Sequence, residues 1–217
     1  MRVSINTEET LYWAESLLPE NGEAVTHQIA DSFPQFTVLQ VPLGSDADGS
    51  AETVAMTADA ARIEAGLETE DGSDLRVEFI TVVRGHMDQA VSLVTAVASM
   101  ISQDPFSLSP QPGLILPELA SSLDSSMTAK HGLLVIPFLW DDGVPHLHEV
   151  VATGRRSKEA QEGGAGAVEF THPGRLTLPV QLIMLTDEEL EVAEQQGVDT
   201  LQRKLVETGA DLHNPWR

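Results

Sequence analysis

Cysteine is absent from the 217 residues of this chain. Disulfide scaffolds, cysteine nucleophiles and thiolate metal sites are therefore excluded. Long apolar runs are absent as well, because no stretch approaches the roughly 20 residues that a membrane-spanning helix needs. The amino-terminal segment is acidic within ten residues and has no apolar centre, so we expect no signal peptide and a cytoplasmic location.

Basic residues are also scarce. Twelve Lys and Arg residues stand against 34 Asp and Glu residues, which gives a formal net charge of -22 at pH 7. Nucleic-acid binding needs basic side chains that displace counterions from phosphates, so DNA, RNA and anionic membranes are not expected partners. Two interpretations of the charge stay open. It keeps the protein soluble or adapted to salt, or it steers the protein towards a basic protein partner.

The length and the apolar patterns predict one α/β domain, which can bury a core without metal or disulfide. Proline and glycine residues and the spacing of apolar residues set the limits of its elements. The predicted helices are residues 7–18, 23–33 and 86–103. The predicted strands are residues 36–41, 52–57, 75–83 and 132–140.

The carboxy-terminal segment 179–217 has the clearest order of elements. An apolar run stops at Thr186, and Thr186 with Glu189 forms a capping box, in which each side chain bonds the backbone N–H of the other. Gly197 interrupts the acidic helix that follows, and Gly209 ends a second amphipathic helix. The segment therefore predicts a strand, a capped helix, a second helix and a short tail.

His146, His148 and Glu149 form the strongest candidate for a metal site. Two histidines at positions i and i+2 of a strand point to the same side, and sheet metal sites use this spacing. A third ligand would come from elsewhere, such as His131 or His172. The alternative, which we favour, is an exposed surface strand, because an H-x-H pattern alone is a weak signal.

Other patterns associated with catalysis are incomplete. The glycine-rich run at 163–167 lacks the following Lys-Ser/Thr of a phosphate-binding loop, so it is interpreted as a linker. No G-x-S-x-G elbow is present to expose a serine nucleophile. The acidic pairs Asp141/Asp142 and Glu188/Glu189 would form a glycosidase-like site only by accident of folding. The second pair already belongs to the helix start with the capping box. We therefore predict neither an enzyme nor a cofactor.

Arg155, Arg156 and Lys158 form a basic cluster in an otherwise acidic chain. The favoured interpretation is an ordinary exposed loop. The functional interpretation is a contact with a partner's acidic segment, or a tether to the chain's own acidic surface.

Taken in order, these elements resemble the suppressor-of-fused (SUFU-like) domain over residues 36–217. The similarity is best in the pattern L-T-D-E-E-L-x-x-A-x-x-x-G-x-x-x-L at 185–201 and in the tail VETGADLHNPWR. Upstream, TVAMTADAARIEAG followed by LRVEFI is similar to the family's Thr-rich strand and its Arg-x-Glu strand. The first 35 residues match no part of the family and are expected to form a helical and extended segment packed on the domain.

The resemblance implies an α/β (α+β) single domain with a mixed sheet flanked by helices, acting as a protein-binding module. Animal members bind and sequester a transcription factor, and bacterial members resemble immunity proteins that neutralise a partner toxin. We therefore expect a non-enzymatic protein that sequesters a basic toxin or another protein partner. The alternatives are a metal-dependent hydrolase that uses His146, His148 and Glu149, and a salt-adapted structural or regulatory domain.

Overall fold

The computed structural model describes residues 7–19, 22–45, 51–70, 72–85, 87–150 and 174–217. In these ranges the chain forms nine strands, four α-helices and one 3-10 helix (Ala60–Arg62). The helices are α1 (Thr7–Leu17), α2 (Met87–Gln103), α3 (Asp187–Gln196) and α4 (Val198–Thr208). The strands are β1 (Glu23–His27), β2 (Phe36–Ser45), β3 (Ala51–Thr57), β4 (Leu67–Glu68), β5 (Asp74–Arg84), β6 (Ile115–Leu116), β7 (His131–Val135), β8 (Leu147–Val150) and β9 (Gly174–Leu185). None of the described helices is long and apolar enough to cross a bilayer.

All nine strands join one mixed sheet in the order β1-β2-β3-β5-β9-β7-β6, with β4 paired to β5 and β8 paired to β9. The β5–β9 pair is parallel, and the other pairs are antiparallel. Strand β9 is central, because it pairs with β5 along one edge and with β8 and then β7 along the other. The single α+β domain with a mixed sheet is therefore confirmed.

One face of the sheet, called here the α2 face, is covered by α2. The side chains of Leu93, Val94 and Val97 on this helix are completely buried. They share one core cluster with Phe79 of β5 and Leu182 of β9. Helix α2 is apolar over a wide arc because it lies against the centre of the sheet.

The opposite face is shared by α1, the extended segment 136–140, α3 and α4, and is called here the divided face. Ile80 of β5 packs in a cluster with Ala14 of α1, and Ile80 is paired directly with Gln181 of β9. Four residues further along β9, Leu185 packs in a cluster with α3 and α4. Alternate residues of a strand share one side, so all of these elements lie on the same face.

The capping box at the start of α3 is confirmed. The backbone N–H of Glu189 donates to the Thr186 hydroxyl oxygen at 3.3 Å, and the Thr186 N–H donates to the Glu189 carboxylate at 2.8 Å. Arg217 also donates to this carboxylate, at 2.7 Å. Gly209 ends α4 in the left-handed conformation with φ of 61°, which explains the glycine there.

The predicted helix at 23–33 is wrong, because residues 23–27 form the edge strand β1 and pair with β2. A turn follows, closed by the Phe33 N–H donating to the Ala30 carbonyl at 2.9 Å. The prediction rested on Val25, Ile29 and Phe33, which follow one another at intervals of four residues. Residues four apart share one side of a strand as well as one side of a helix, so this spacing does not distinguish the two.

The predicted strand at 132–140 is too long, because β7 ends before Ile136. Pro137 has no backbone N–H to donate to a strand ladder. The next N–H, that of Phe138, donates instead to the side-chain oxygen of Gln181 at 3.1 Å. The chain therefore leaves the sheet after β7 and crosses β9 on the divided face.

The carboxy-terminal tail returns across one end of the sheet. The His213 carbonyl accepts the backbone N–H of Arg84, at the end of β5, at 2.7 Å. The Pro215 carbonyl accepts the N–H of Ala129, just before β7, at 2.9 Å. The tail is therefore tied by its backbone to segments that are far from it in sequence.

Candidate partner-binding surface

His146 and His148 lie at or near β8 and are both exposed to solvent. Strand β8 pairs with the first part of β9, where His148 is opposite Leu176. Glu149 also belongs to β8. This placement agrees with the surface-strand interpretation, while metal binding by the pair stays a prediction.

His131 lies far from this pair. It is on β7 opposite Leu185, whereas His148 is opposite Leu176, nine positions earlier on β9. At about 3.3 Å per residue, the two histidines are roughly 30 Å apart along the sheet. They therefore cannot bind the same ion. His172, Arg155, Arg156, Lys158 and the glycine-rich run 163–167 lie outside the described residues.

His131 belongs to a different cluster, with Glu118, Lys130 and Asp187. Potential ligand atoms of Glu118, His131 and Asp187 lie within 4.8 Å of one another. The Nδ1 atom of His131 accepts the backbone N–H of Glu118 at 2.9 Å, and its Nε2 atom is 2.8 Å from a carboxylate oxygen of Asp187. Since Nδ1 is an acceptor, Nε2 carries the proton and donates it to Asp187. Neither ring nitrogen is therefore available as a metal ligand in this arrangement.

Lys130 supplies the positive charge of this cluster. Its Nζ atom is 3.3 Å from a carboxylate oxygen of Glu118 and 3.3 Å from one of Asp187. Hydrogen bonds from His131 and then Lys130 lower the pKa of Asp187, and those from Ser121 and then Lys130 lower the pKa of Glu118. The cluster joins β7 to the start of α3, and we interpret it as a structural contact.

Glu78 lies on β5, and its side chain is fully buried. Among the described acidic residues with a shifted pKa, it has the largest shift. Its carboxylate accepts hydrogen bonds from the Thr57 hydroxyl at 2.5 Å and from the N–H groups of Ala60 and Ala61 at 3.0 and 3.1 Å. Burial raises the pKa of Glu78 to about 7, although these three donors favour the charged form. A carboxylate buried in this way is out of reach of a substrate. Its hydrogen bonds from Ala60 and Ala61 hold the 3-10 helix on the sheet.

Arg76, two residues before Glu78, has a similar structural role. Its guanidinium donates to the carboxylate of Asp74 at 2.8 to 2.9 Å and to the Ile63 carbonyl at 2.9 Å. The Arg-x-Glu pattern and the Thr-rich strand identified in the sequence therefore meet in one network. This network fastens the segment after β3 to β5.

A small concavity lies beside Arg76. It is lined by Ile63, Leu75, Val77 and Phe79 among others, and it has about 10 Å³ of free space. This is room for a single water molecule. It is much smaller than a pocket for a small-molecule substrate, which takes about 300 Å³ or more.

Most basic side chains in the described ranges form ion pairs with carboxylates of the same chain. Eight of the twelve Lys and Arg residues lie in the described ranges, and six of the eight form ion pairs with the chain's own carboxylates. These six are Arg62, Arg76, Arg84, Lys130, Arg175 and Arg217. The other two, Arg203 and Lys204, are neighbours on α4. Few cations therefore remain to offset the acidic surface.

Three elements of the divided face carry acidic charges only, whereas the fourth, α4, carries two acids (Asp199 and Glu207) and two bases (Arg203 and Lys204). Helix α1, the segment 136–142 and helix α3 together contain ten Asp and Glu residues and no Lys or Arg. The ten are Glu8, Glu9, Glu15, Asp141, Asp142, Asp187, Glu188, Glu189, Glu191 and Glu194. Asp187 and Glu189 are paired with Lys130 and Arg217, and Glu8 and Glu9 also take part in interactions within the chain. Helix α2, on the opposite face, has a single acidic residue, Asp88.

Sequence reasoning did not locate this acidic surface. Helix α1 and helix α3 are separated by about 170 residues in the chain, and only the sheet order places both on the divided face. The sequence does contain one usable signal, because both helices are acidic and neither has a Lys or Arg.

No protein-family model matches the sequence, and no curated protein matches it. Solved structures do match. The fold is similar to that of a suppressor-of-fused homologue from Neisseria gonorrhoeae, with a TM-score of 0.56 and 14% identity over 95% of this chain and 91% of that chain. A Sufu–Fu complex crystal structure matches with a TM-score of 0.55 and 13% identity, over 95% and 87% of the two chains.

Drosophila Suppressor of Fused is a third match, with a TM-score of 0.55 and 13% identity. The match covers 96% of this chain but only 49% of the Drosophila chain, so this chain spans about half of that protein. The fold class is thus a single α+β domain built on a mixed sheet. The fold within this class is that of the suppressor-of-fused proteins.

Proposed function

We propose that this chain is a non-enzymatic protein-binding module of the suppressor-of-fused type, which sequesters a basic protein. In this proposal the partner is a toxin or another protein with a basic surface. The chain neutralises it by covering that surface, as an immunity protein does. The observation that carries the proposal is the acidic divided face, with ten carboxylates and no Lys or Arg on α1, α3 and the segment 136–142.

Charge of one sign on one side of a protein has a specific physical effect. It attracts an oppositely charged partner over several ångströms and raises the association rate constant. It also disfavours acidic partners, because like charges would be brought together at the interface. A surface of this kind therefore suits rapid capture of a basic protein.

Two further observations support a binding role. The perturbed buried acid, Glu78, is fully bonded inside the structure. A neighbour of the same fold was crystallised as the Sufu–Fu complex, so that protein binds another protein. A domain whose unusual groups serve its own stability, and whose fold is used elsewhere for protein binding, fits a binding module.

The proposal is tested first by affinity capture from the native organism at low and at high salt, with mass spectrometry of the retained proteins. We expect one basic protein that is retained at low salt and weakened at high salt. With that partner purified, its association rate constant should fall steeply as ionic strength rises. An association rate constant independent of ionic strength would contradict the proposal.

A matched pair of double variants tests the surface itself. Glu191→Gln with Glu194→Gln removes two exposed charges from α3, and Glu23→Gln with Asp31→Asn removes two exposed charges from strand β1 and the turn that follows it. Both double variants change the net charge by the same amount. The α3 pair should slow association several-fold and the other pair should have a clearly smaller effect. Equal effects would show that total charge, rather than the divided face, controls capture.

A further inference from the structure

Two large apolar side chains lie exposed at the middle of the divided face. Ile136 is 63% exposed and Phe138 is 52% exposed, while Pro137 between them is buried. Alternating exposure is typical of an extended chain that has one side against the sheet. Ile136 and Phe138 therefore both point away from the sheet. Residues at this spacing are roughly 7 Å apart, close enough to form one contact surface.

The segment that carries them is fixed in place. Gln181 beneath it is 1% exposed, and its side-chain oxygen accepts the N–H of Phe138. Beyond Phe138, Leu139 and Trp140 pack against the core cluster under α1, and the Trp140 indole N–H points to the Leu17 carbonyl at 3.5 Å. The two exposed side chains are therefore held rigidly, which reduces the entropy cost of binding through them.

The charges around this pair decide what can cover it. Asp141 and Asp142 follow in the chain and are exposed, and α1 and α3 on either side contribute only acidic charges. A second copy of this chain would bring two acidic surfaces together, which is unfavourable. A basic segment with apolar side chains would satisfy both the apolar pair and its acidic surroundings.

We propose that Ile136 and Phe138 form the apolar centre of a docking surface for a segment of a basic protein. The segment presents one or two large apolar side chains to this pair, and its flanking Lys and Arg residues face the carboxylates of α1, α3 and the segment 136–142. This arrangement has the apolar centre and charged rim of protein interfaces. The inference rests on the proposed function, because it names the chemistry of the partner at the same face.

The probe for this inference is a displayed library of random peptides, selected on the full-length protein at low salt. We expect enriched peptides to combine a large apolar residue with flanking Lys or Arg. Synthetic versions of these peptides should bind Phe138→Ala at least about tenfold more weakly than the wild type. Failure to enrich peptides of this composition would overturn the inference.

Phe106→Ala is the matched control, because Phe106 is 75% exposed and lies in the loop after α2, away from the divided face. It removes the same aromatic ring, and peptide affinity should change by less than about twofold. Ile136→Ser is a second variant at the docking surface and should weaken the peptides as well. Equal affinities for Phe138→Ala and Phe106→Ala would overturn the inference.

Salt separates this inference from the proposed function. If peptide affinity falls with salt and with Glu191→Gln and Glu194→Gln but not with Phe138→Ala, the acidic surface stands and the apolar centre is wrong. If affinity depends neither on salt nor on Phe138, both proposals fail. Sedimentation of the protein alone should show no self-association through this surface, and a dimer dissociated by Phe138→Ala would assign the pair to a second copy instead.

Discussion

The two faces of the sheet are built in opposite ways. Helix α2, together with residues of the segment 116–129, packs on one face in a single continuous core cluster, and this helix has one acidic residue. Three helices and an extended segment share the other face, which carries most of the acidic side chains of the helices and the exposed apolar pair Ile136 and Phe138. The same sheet therefore has one side organised around a continuous core and one side divided into smaller clusters.

This difference separates stability from binding. Apolar area removed from water is the main source of folding free energy, and the α2 face contains the largest core cluster. The charge and apolar area that the divided face leaves exposed do little for stability, and in the proposed function they attract and hold the partner. Substitutions on the two faces should therefore have different consequences, and four predictions test this.

The largest expected contrast is between two phenylalanines on opposite faces. Phe79 on the α2 face is 1% exposed, whereas Phe138 on the divided face is 52% exposed. Phe79→Ala should lower the free energy of unfolding by about 3–5 kcal/mol, because it leaves a cavity in the core. Phe138→Ala should lower it by less than about 1 kcal/mol. Urea unfolding measures both values, and similar losses would contradict the division of roles.

The second prediction concerns pH and the buried acid Glu78. Its pKa is raised from 4.5 to about 7 in the folded protein, so the folded state binds this proton more tightly than the unfolded state. The contribution of Glu78 to stability is therefore fully present below pH 4.5 and is lost as the pH rises to 7. The loss amounts to about 3 kcal/mol.

Glu78→Gln isolates this effect, because glutamine does not titrate. The stability advantage of the wild type over Glu78→Gln should be largest near pH 4.5 and should shrink as the pH approaches 7. Urea unfolding across this range measures the difference. Glu23→Gln, at an exposed position of β1, is the control and should show no such trend. An advantage that grows with pH would mean that the three hydrogen-bond donors outweigh burial.

The third prediction concerns the capping box on the divided face. Thr186→Ala removes the hydroxyl that accepts the Glu189 N–H, and it should cost about 1 kcal/mol of unfolding free energy. Thr186→Ser keeps the hydroxyl and should cost clearly less. Thermal unfolding of the three proteins measures the order, and an equal loss in both variants would show that the threonine methyl group, not the hydroxyl, is important.

The smallest effect is expected for the exposed acids of α3. Replacing Glu191 and Glu194 by Gln should change the free energy of unfolding by no more than about 0.5 kcal/mol for each substitution. The same double variant is expected to slow association with a basic partner. A large loss of stability here would show that the acids have a structural role, and it would remove the contrast between the faces.

The sequence predicts best what is determined locally. The capping box at Thr186, the helix α2 and the turn glycine Gly209 depend on residues a few positions apart, and each was located correctly. The edge strand β1 was mistaken for a helix because Val25, Ile29 and Phe33 are four residues apart, although only Val25 belongs to the strand. Its identity depends on pairing with β2, which local spacing does not reveal.

The divided face depends on contacts between distant parts of the chain. Within the apolar run at 132–140, Pro137 is the local sign that the strand stops, but Gln181, which accepts the N–H of Phe138 after the chain leaves β7, is more than 40 positions away. The acidic surface likewise exists only because β9 brings the α3 side of the sheet next to the α1 side. The fold class was accessible from sequence, whereas the location of the proposed binding surface was not.

The central position of β9 also determines the order in which the protein can be made. Strands β1, β2, β3 and β5 can pair with one another as they emerge from the ribosome, but β5 must wait about 90 residues for its parallel partner β9. At a synthesis rate of about 5–20 residues per second, β5 keeps an open edge for several seconds. Until β9 arrives, β7 has no neighbour on that side either.

Open strand edges pair readily with other chains. During this interval the finished fold does not yet cover the open edges. The large negative charge makes such chains repel one another. The acidity proposed here for capturing a partner therefore has an earlier use, before any partner is present. We expect it to reduce the association of the unfinished sheet with other chains while the strand that completes it is still being synthesised.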